Sequence, residues 1–343
     1  MKAWVLGASN SDVTDCYLQT IADSLVEAGC EAEFVPAGDT RACLRGRASK
    51  KDWFVSSNPI EACRISAHGI RRIILWCQGV APEESYLRNG SKIRLSVLSF
   101  IEKTALKKAS LCFFVSEEMR RHYEGKYGLD FEGRYFVMPC FNSVLDRESF
   151  RAEGKYTVPT FAYVGSLAKW QCFEETVDLY KDIESRLEGS CFKVLTFDRE
   201  KAEEILRARG VRRFEVDCVA RDQVSAELSS VAFGFVVRED NVVNRVATPT
   251  KLSSYMAAGV IPVYSDCLAS FADIAEDFRF AISVGNPVDA DMLVEHCRKM
   301  VGSDADDVLA EYKKVFETYY SRDYYMRKLV PILKGILDED GRI

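Results

Sequence analysis

Short apolar runs and longer amphipathic stretches alternate along the chain. Runs rich in β-branched and aromatic residues predict strands at 2–7, 31–35, 72–77, 111–115 and 135–138. A second series follows at 161–164, 191–197, 213–217, 232–237, 260–264 and 280–283. Several runs are continuous rather than alternating: Ile73-Ile74-Leu75-Trp76, Leu111-Cys112-Phe113-Phe114-Val115 and Phe233-Gly234-Phe235-Val236-Val237. A strand that is apolar on both faces must be covered on both, as in a parallel sheet between layers of helices. The stretches between the strands read as helices. One over 13–28 follows Ser11-Asp12, suited to an N-cap, and stops before Gly29. Another over 171–187 sets Phe173, Val177, Tyr180, Ile183 and Leu187 on one face. Repeated strand–helix–strand units imply right-handed crossovers and doubly wound sheets, an α/β fold.

The alternation breaks at 143–159, a polar, charged run containing Gly154 and Pro159 that reads as a linker. The 343 residues exceed what one core usually organises, roughly 250–300. The expected division is a domain over 1–150, a second over 158–318, and a last helical segment over 319–343. Phe316, Tyr319, Tyr320, Tyr324 and Tyr325 are too aromatic for a solvated tail, so this end is expected to pack across the domain interface.

Composition narrows the function classes. Hydrophobic residues make up 48% and charged residues 29% of the chain, the balance of a globular protein, and the net charge of −6 argues against a broadly basic nucleic-acid binder. No run approaches the roughly 20 apolar residues of a membrane span, and the apolar start Ala3-Trp4-Val5-Leu6 is too short for a signal peptide. A cytoplasmic location is expected. The twelve cysteines include no C-x-x-C pair, and Cys77, Cys112 and Cys191 lie in apolar runs. They read as reduced, buried small side chains rather than as disulfides or zinc ligands. Gly7-Ala8-Ser9-Asn10 is not the G-x-G-x-x-G of a dinucleotide-binding dehydrogenase.

Three segments carry candidate chemistry. At 248–258, Thr248 is placed to cap a helix with Pro249 in its first position. The N–H groups from Thr250 onward then point out of the helix start. Lys251 adds a full positive charge where the dipole disfavours one, which calls for an anion nearby. Gly165-Ser166-Leu167-Ala168-Lys169 follows a strand; Gly165 permits close backbone approach and Lys169 can reach a phosphate. Arg238 stands at the carboxyl end of strand 232–237, where ligands of parallel sheets bind.

The same segments resemble retaining glycosyltransferases of family 4. Phe161-Ala162-Tyr163-Val164-Gly165-Ser166-Leu167-Ala168-Lys169-Trp170 looks like the first strand and glycine loop of that family's donor domain. Residues Pro249-Thr250-Lys251-Leu252-Ser253-Ser254-Tyr255-Met256-Ala257-Ala258-Gly259-Val260-Ile261-Pro262-Val263 resemble its P-x-K-x-x-E-Y-M-A-x-G-x-P-V segment. Val115-Ser116-Glu117-Glu118-Met119 and Val137-Met138-Pro139-Cys140-Phe141-Asn142 resemble the last strand ends of the acceptor domain, and Ile74-Leu75-Trp76-Cys77-Gln78-Gly79 looks like a strand feeding the cleft.

The resemblance implies the GT-B fold, two Rossmann-like domains facing across a cleft. It further implies transfer of a sugar, with retention, from a UDP- or GDP-sugar to a glycan or lipid-linked glycan in surface-polysaccharide assembly such as capsule. Arg238, Lys251 and Lys169 would stabilise the diphosphate; Gly165, Ser166, Thr250 and Ser254 would line the donor site. No protein nucleophile and no metal are expected, and no nucleic acid is among the implied partners. In the first domain, Gln78 stands where relatives often have a histidine. With Gly79, and with Glu83 or the adjacent Glu84 to orient or deprotonate a hydroxyl, it would form the acceptor side. His68, His122 and His296 lie in helical stretches and are not read as catalytic.

One departure stands out. The family places a glutamate at the position of Ser254 to hold the ribose hydroxyls, and an E-x7-E pair begun at Glu239 ends on Ala247. This keeps open a catalytically silent glycan-binding or partner protein; another GT-B enzyme, such as a sugar-nucleotide epimerase or an inverting transferase, is a separate alternative. The stretch 88–108 carries Arg88, Lys92, Arg94, Lys103, Lys107 and Lys108 against Glu102 alone, interleaved with Ile93, Leu95, Val97, Leu98, Phe100, Ile101 and Leu106. Such a basic amphipathic stretch suits the anionic inner face of a membrane, where the protein would be peripheral; a core-facing helix with a solvated basic face is the competing reading.

Overall fold

A computed structural model describes residues 1–7, 12–36 and 38–341. The chain divides into two compact units, one made of residues up to Cys140 together with the segment from Ser321, the other of Phe141–Tyr320.

The first unit holds a parallel sheet of β1 (Lys2–Leu6), β2 (Glu31–Val35), β3 (Trp53–Ser56), β4 (Ile73–Cys77), β5 (Leu111–Phe114) and β6 (Tyr135–Val137), in the order β2-β1-β3-β4-β5-β6. The register sets Ile74 beside Leu111 and Trp76 beside Phe113. β3, β4 and β5 are buried at every position, as continuous apolar strands require. β3 is absent from the strands read in the sequence. Its four residues follow Lys50-Lys51-Asp52 and are too few to show a period, yet Trp53, Phe54 and Val55 are fully enclosed. The first helix, Asp12–Glu27, follows the expected bounds within a residue; its proposed cap Ser11 lies outside the described residues. The basic stretch 88–108 is not one helix. It spans the end of Ala81–Asn89 and the whole of Lys92–Lys108, parted by Gly90 at φ +64° and restarted by Ser91, whose hydroxyl accepts from Arg94 N. The last helix, Arg322–Gly341, belongs to this unit: it packs on Asp12–Glu27, Arg322 pairs with Asp23, and Tyr325 meets Phe136 edge-on at 6.2 Å.

The second unit repeats the plan with β7 (Thr160–Val164), β8 (Cys191–Leu195), β9 (Phe214–Asp217), β10 (Phe233–Val236), β11 (Ile261–Ser265) and β12 (Ile282–Val284), ordered β12-β11-β10-β7-β8-β9 and all parallel. Phe161 stacks on Phe233 and Phe235 at 4.9 and 5.4 Å. Gly234 leaves room for the Tyr255 ring, which an added Cβ would meet at 2.6 Å. Tyr319 and Tyr320 also belong to this unit, where Tyr320 packs against Phe141 and Phe316.

The stretch 143–159 is not a loose linker. Phe150 and Tyr156 are buried in the core of the second unit, and Tyr156 OH donates to Gly259 O at 2.7 Å. Lys155, 1% exposed, donates to Leu228 O and Ser229 O at 2.9 Å each, satisfying carbonyls at the end of helix Val224–Leu228. The polar letters conceal this because tyrosine, lysine and serine here turn their polar ends onto backbone groups and other side chains rather than onto water.

Burial pushes Lys155 down to about 7, with Asp146 opposing. An unfolded lysine titrates near 10.4. Between those values the unfolded chain keeps a proton that the folded chain has released, so stability rises with pH across that window and is lost as pH falls towards 7. Urea unfolding from pH 7.5 to 9.5 is expected to show wild type gaining about 1.4 kcal/mol per pH unit relative to Lys155→Met; a pH-independent difference contradicts the assignment.

Candidate functional site

In each sheet the chain order reverses once, between β7 and β10 in the second unit and between β1 and β3 in the first. Ligands of open parallel sheets collect outside the carboxyl ends of the strands at that reversal. Candidate residues stand at both places.

In the second unit, Gly165 directly follows β7 and β10 leads into Arg238. Gly165 has φ +135°, and a Cβ there would come within 2.8 Å of Lys251 Cε. The position therefore needs glycine both for its backbone and for the lysine lying across it. The β7 end is held by Tyr255, whose hydroxyl accepts from Val164 N at 3.1 Å, and by Tyr163 OH, which donates to Ser166 O at 2.6 Å. Lys251 rises from the first turn of helix Thr250–Ala257. The helix begins one residue later than expected. Pro249, not Thr248, is its N-cap residue, with no side chain capping it, because the extended backbone of Pro249 at ψ 123° precedes the first helical turn.

The Lys251 ammonium sits 3.9 Å from the centre of the Tyr163 ring, is enclosed, and has no hydrogen-bond partner among the described residues. Burial, and then the charge of Arg238, hold its pKa well below the usual lysine value. Arg238 is 5% exposed and also lowered by burial. It donates to Gln171 O at 3.0 Å, Val237 O at 2.8 Å and Gln171 Oε1 at 2.6 Å, while Ser265 Oγ accepts from its backbone N–H at 2.8 Å. Among the described residues no carboxylate pairs with either cation. Two enclosed basic groups beside a glycine turn, with burial and Arg238 disfavouring the charge on Lys251, can accept an anion.

The other named donor residues divide. Lys169 and Ser166 are exposed, and the residue of the turn Lys169–Gln171 that reaches Arg238 is Gln171. Thr250 O accepts from Ser253 Oγ at 2.9 Å and Ser254 Oγ at 3.2 Å; Ser254 also lies within 3.3 Å of Asn142 Oδ1 and 3.1 Å of Ser143 Oγ. Its hydroxyl is thus engaged locally. A cavity of about 410 Å³ also touches Arg238, but it is lined by Glu175, Asp178, Asp182 and Glu239. Asp178 is paired with Arg209; the remaining acids make that side unsuited to a polyphosphate.

In the first unit a cavity of about 700 Å³ opens at the reversal point. Leu6, Ser56 and Cys77 end β1, β3 and β4, and Gly7, Ser57, Asn58, Gln78 and Gly79 follow them. Gln78 and Gly79 are therefore on the cavity, with Gln78 Oε1 accepting from Thr14 Oγ1 at 3.3 Å. Glu83 is not. It faces Lys126 at 2.6 Å and His122 at 3.4 Å, whose hydrogen bonds counter its burial and leave its pKa lowered. One residue further round the helix, Glu84 lines the cavity, its carboxyl tucked against Gly79 so closely that a Cβ there would meet Oε1 at 2.2 Å. Burial raises the Glu84 pKa, with the charge of Arg88 opposing. Ser56, Ser57 and Asn58 went unnoticed because β3 did; no motif surrounds them. Among the described residues no group of three or more histidine, cysteine or acidic side chains is placed to hold a metal.

No protein-family model matches the chain, and no curated protein is similar to it in sequence. Solved structures are similar in fold. WaaG, a glycosyltransferase involved in lipopolysaccharide biosynthesis, superposes with a TM-score of 0.63 at 13% identity over 98% of this chain and 100% of WaaG. An E. coli structure described as trehalose-6-phosphate bound with UDP-2-fluoro glucose gives 0.66 at 10% identity, over 97% of this chain and 99% of that one. A mutant of S. aureus TarM, in complex with fondaparinux, α-GlcNAc-glycerol and UDP, gives 0.61 at 10% identity over 83% of this chain. The chain spans only 56% of TarM's length. The architecture is thus that of the GT-B glycosyltransferases, an α/β fold of two units.

The enclosed ammonium of Lys251 costs stability while no anion is present. Lys251→Met is expected to stabilise the ligand-free protein by roughly 1–3 kcal/mol, read by urea unfolding. Pyrophosphate should stabilise wild type but not the variant. Because an anion restores the lysine's charge, binding takes up a proton and weakens as pH rises above the depressed free-state pKa. A ligand-free variant less stable than wild type counts against the anion site.

Proposed function

We propose that this protein is a glycosyltransferase that moves a sugar from a UDP- or GDP-sugar to a glycan or lipid-linked glycan, with retention, in surface-polysaccharide assembly. The observation that carries the reading is the pair of enclosed cations, Lys251 and Arg238, without a carboxylate, beside the Gly165 turn. A nucleotide–sugar diphosphate supplies the missing charge. When the glycosidic bond to the donor breaks, negative charge grows on the leaving diphosphate, and fixed cations in an enclosed site stabilise it with little reorganisation. In the retaining scheme the departing phosphate oxygen also takes the acceptor hydroxyl's proton, so no protein nucleophile is called for. UDP and a UDP-sugar analogue in the similar structures favour uridine over guanosine. The donor half is read as 158–318 and the acceptor half as 1–150, with Gln78, Gly79 and Glu84 on the acceptor cavity.

Ser254 favours a second reading. Its hydroxyl is engaged by Asn142, Ser143 and Thr250 where the family's ribose-binding glutamate would stand, as in a protein that has kept the fold and lost turnover. UDP, GDP, ADP, CMP and their sugar conjugates should be screened by thermal stabilisation. One nucleoside diphosphate at 100 times its dissociation constant is expected to add about 2.7 kcal/mol to wild type and nothing to Lys251→Ala. No shift with any of them, in folded protein, removes the donor site and leaves the silent-protein reading.

We further propose that the helix Lys92–Lys108 rests on an anionic lipid surface. Ile93, Val97 and Phe100 lie at helical spacing and are 81%, 54% and 73% exposed, flanked by the exposed Lys92, Arg94, Lys103, Lys107 and Lys108. Among the described residues no helix is long and apolar enough to cross a membrane. The protein should pellet with phosphatidylglycerol vesicles and not with phosphatidylcholine vesicles, and Lys103/Lys107/Lys108→Glu should release it. Equal recovery with both lipids ends the proposal.

A further inference from the structure

The diphosphate of a nucleotide–sugar has its place at Gly165, Lys251 and Arg238, but the nucleoside attached to it has none so far. Ser254, where the family's ribose-binding glutamate would stand, is engaged by Asn142, Ser143 and Thr250. The sheet edge differs on the two sides of the Gly165 turn. Towards β10 and β11, the Arg238 backbone N–H is closed onto Ser265 Oγ at 2.8 Å, and the cavity beyond carries Glu175, Asp182 and Glu239. Towards β8 the edge is exposed at Ser166, Phe197 and Asp198. β8 runs beside β7 with Leu195 opposite Val164, and Gly165 N donates to Leu195 O at 2.9 Å. Thr196-Phe197-Asp198 therefore continues alongside Gly165-Ser166-Leu167.

The turn after β8 is firmly held. Thr196 N donates to Asp217 O at 2.9 Å, and the buried Thr196 hydroxyl accepts from Asp198 N at 3.2 Å. The turn leaves Phe197 84% exposed, its ring stacked on no other ring among the described residues. One exposed phenylalanine means little by itself. Asp198 is an independent sign. It is the N-cap residue of helix Arg199–Ala208, a place where an aspartate ordinarily accepts from the first turn, yet its side chain makes no such bond. Asp198 Oδ2 instead accepts from Leu167 N at 3.5 Å, in the loop that continues the glycine turn.

Strand order gives this placement its meaning. Read from β9 to β12, the order of the unit is third, second, first, fourth, fifth, sixth in the chain. In nucleotide-binding sheets of that order, the glycine turn after the first strand takes the phosphates, and an acid at the end of the second accepts the ribose hydroxyls. β7 and β8 are the first and second strands here. A carboxylate accepts two hydroxyl protons at once, and any nucleobase stacks on an aromatic face. Neighbouring strands are about 4.8 Å apart, so a nucleoside tethered to a diphosphate at Gly165 reaches β8 within one strand spacing.

We propose that the nucleoside of the donor lies over the end of β8, its base stacked on Phe197 and its ribose hydroxyls held by Asp198. The inference rests on the donor-site reading above and provides the ribose contact that Ser254 does not. Stacking accepts every base, so Phe197 sets affinity rather than the choice between uracil and guanine.

Calorimetry on the full chain should compare UDP, GDP, their 2′-deoxy counterparts and pyrophosphate. Wild type is expected to bind UDP or GDP about tenfold or more tightly than pyrophosphate, and more tightly than the matching deoxynucleotide. Phe197→Ala should weaken that nucleotide roughly tenfold, as loss of a base–aromatic stack predicts, and leave pyrophosphate unchanged. Phe197→Tyr should keep the affinity. Asp198→Ala should erase the preference for ribose over deoxyribose. Nucleotides that bind no more tightly than pyrophosphate, unchanged nucleotide affinity in Phe197→Ala, or a wild type or Asp198→Ala protein that departs from the expected ribose preference overturns the β8 site. Pyrophosphate binding that depends on Lys251 in the same samples leaves the donor reading standing in that event. Failure of pyrophosphate and of every nucleotide to bind removes the donor reading and this inference together.

Discussion

Two enclosed basic groups that no carboxylate answers among the described residues, Lys251 and Arg238, are the constraint around which this end of the second unit is arranged. Two basic side chains stay side by side in an enclosed place only where the surrounding structure holds them. Gly165 gives up its side chain to Lys251, Tyr163 offers its ring face, and Gln171 fixes the guanidinium of Arg238. Tyr255 ties helix Thr250–Ala257 to β7 through Val164 N, and Gly234 makes room for its ring.

The sheet topology explains why the charges meet. Parallel strands place all their carboxyl ends on one edge, and the reversal between β7 and β10 opens a gap there between consecutive crossovers. Gly165, Arg238 and Lys251 are far apart in the chain but gather at that gap. The first unit repeats the device with opposite emphasis. Its gap, between β1 and β3, is lined largely by hydroxyls and amides, with two arginines from the neighbouring helices. One architecture thus gathers basic groups at one reversal and hydroxyls and amides at the other.

Local polar chemistry repeatedly hides burial in this protein. Lys155 and Tyr156 sit in a segment that reads as solvated, yet their polar ends close onto carbonyls of the core. Glu102 lies on the basic helix as its sole acid and is buried beneath two tyrosines and a lysine. Glu83 and Glu84 are neighbours with opposite environments, one paired with Lys126, the other pressed against Gly79 on the cavity. With about 3.6 residues in each helical turn, a step of one residue swings the side chain by about 100°. Adjacency in sequence therefore cannot tell the two apart.

The sequence by itself determined the doubly wound plan and eleven of the twelve strands among the described residues, and it singled out Gly165, Arg238 and Lys251, which the fold brings together. Continuous apolar runs report burial on both faces, and glycine or a cation at a strand end or helix start has a local physical meaning that needs no partner. Tertiary structure alone decided the rest. β3 is too short to carry a period, and its burial comes from the neighbours β1 and β4. That Ser56 and Asn58 share a cavity with Gln78, that Glu84 rather than Glu83 lines it, and that Gln171 rather than Lys169 meets Arg238, are outcomes of where crossovers bring distant residues together. Such meetings depend on strand order and helix rotation, which no residue encodes alone.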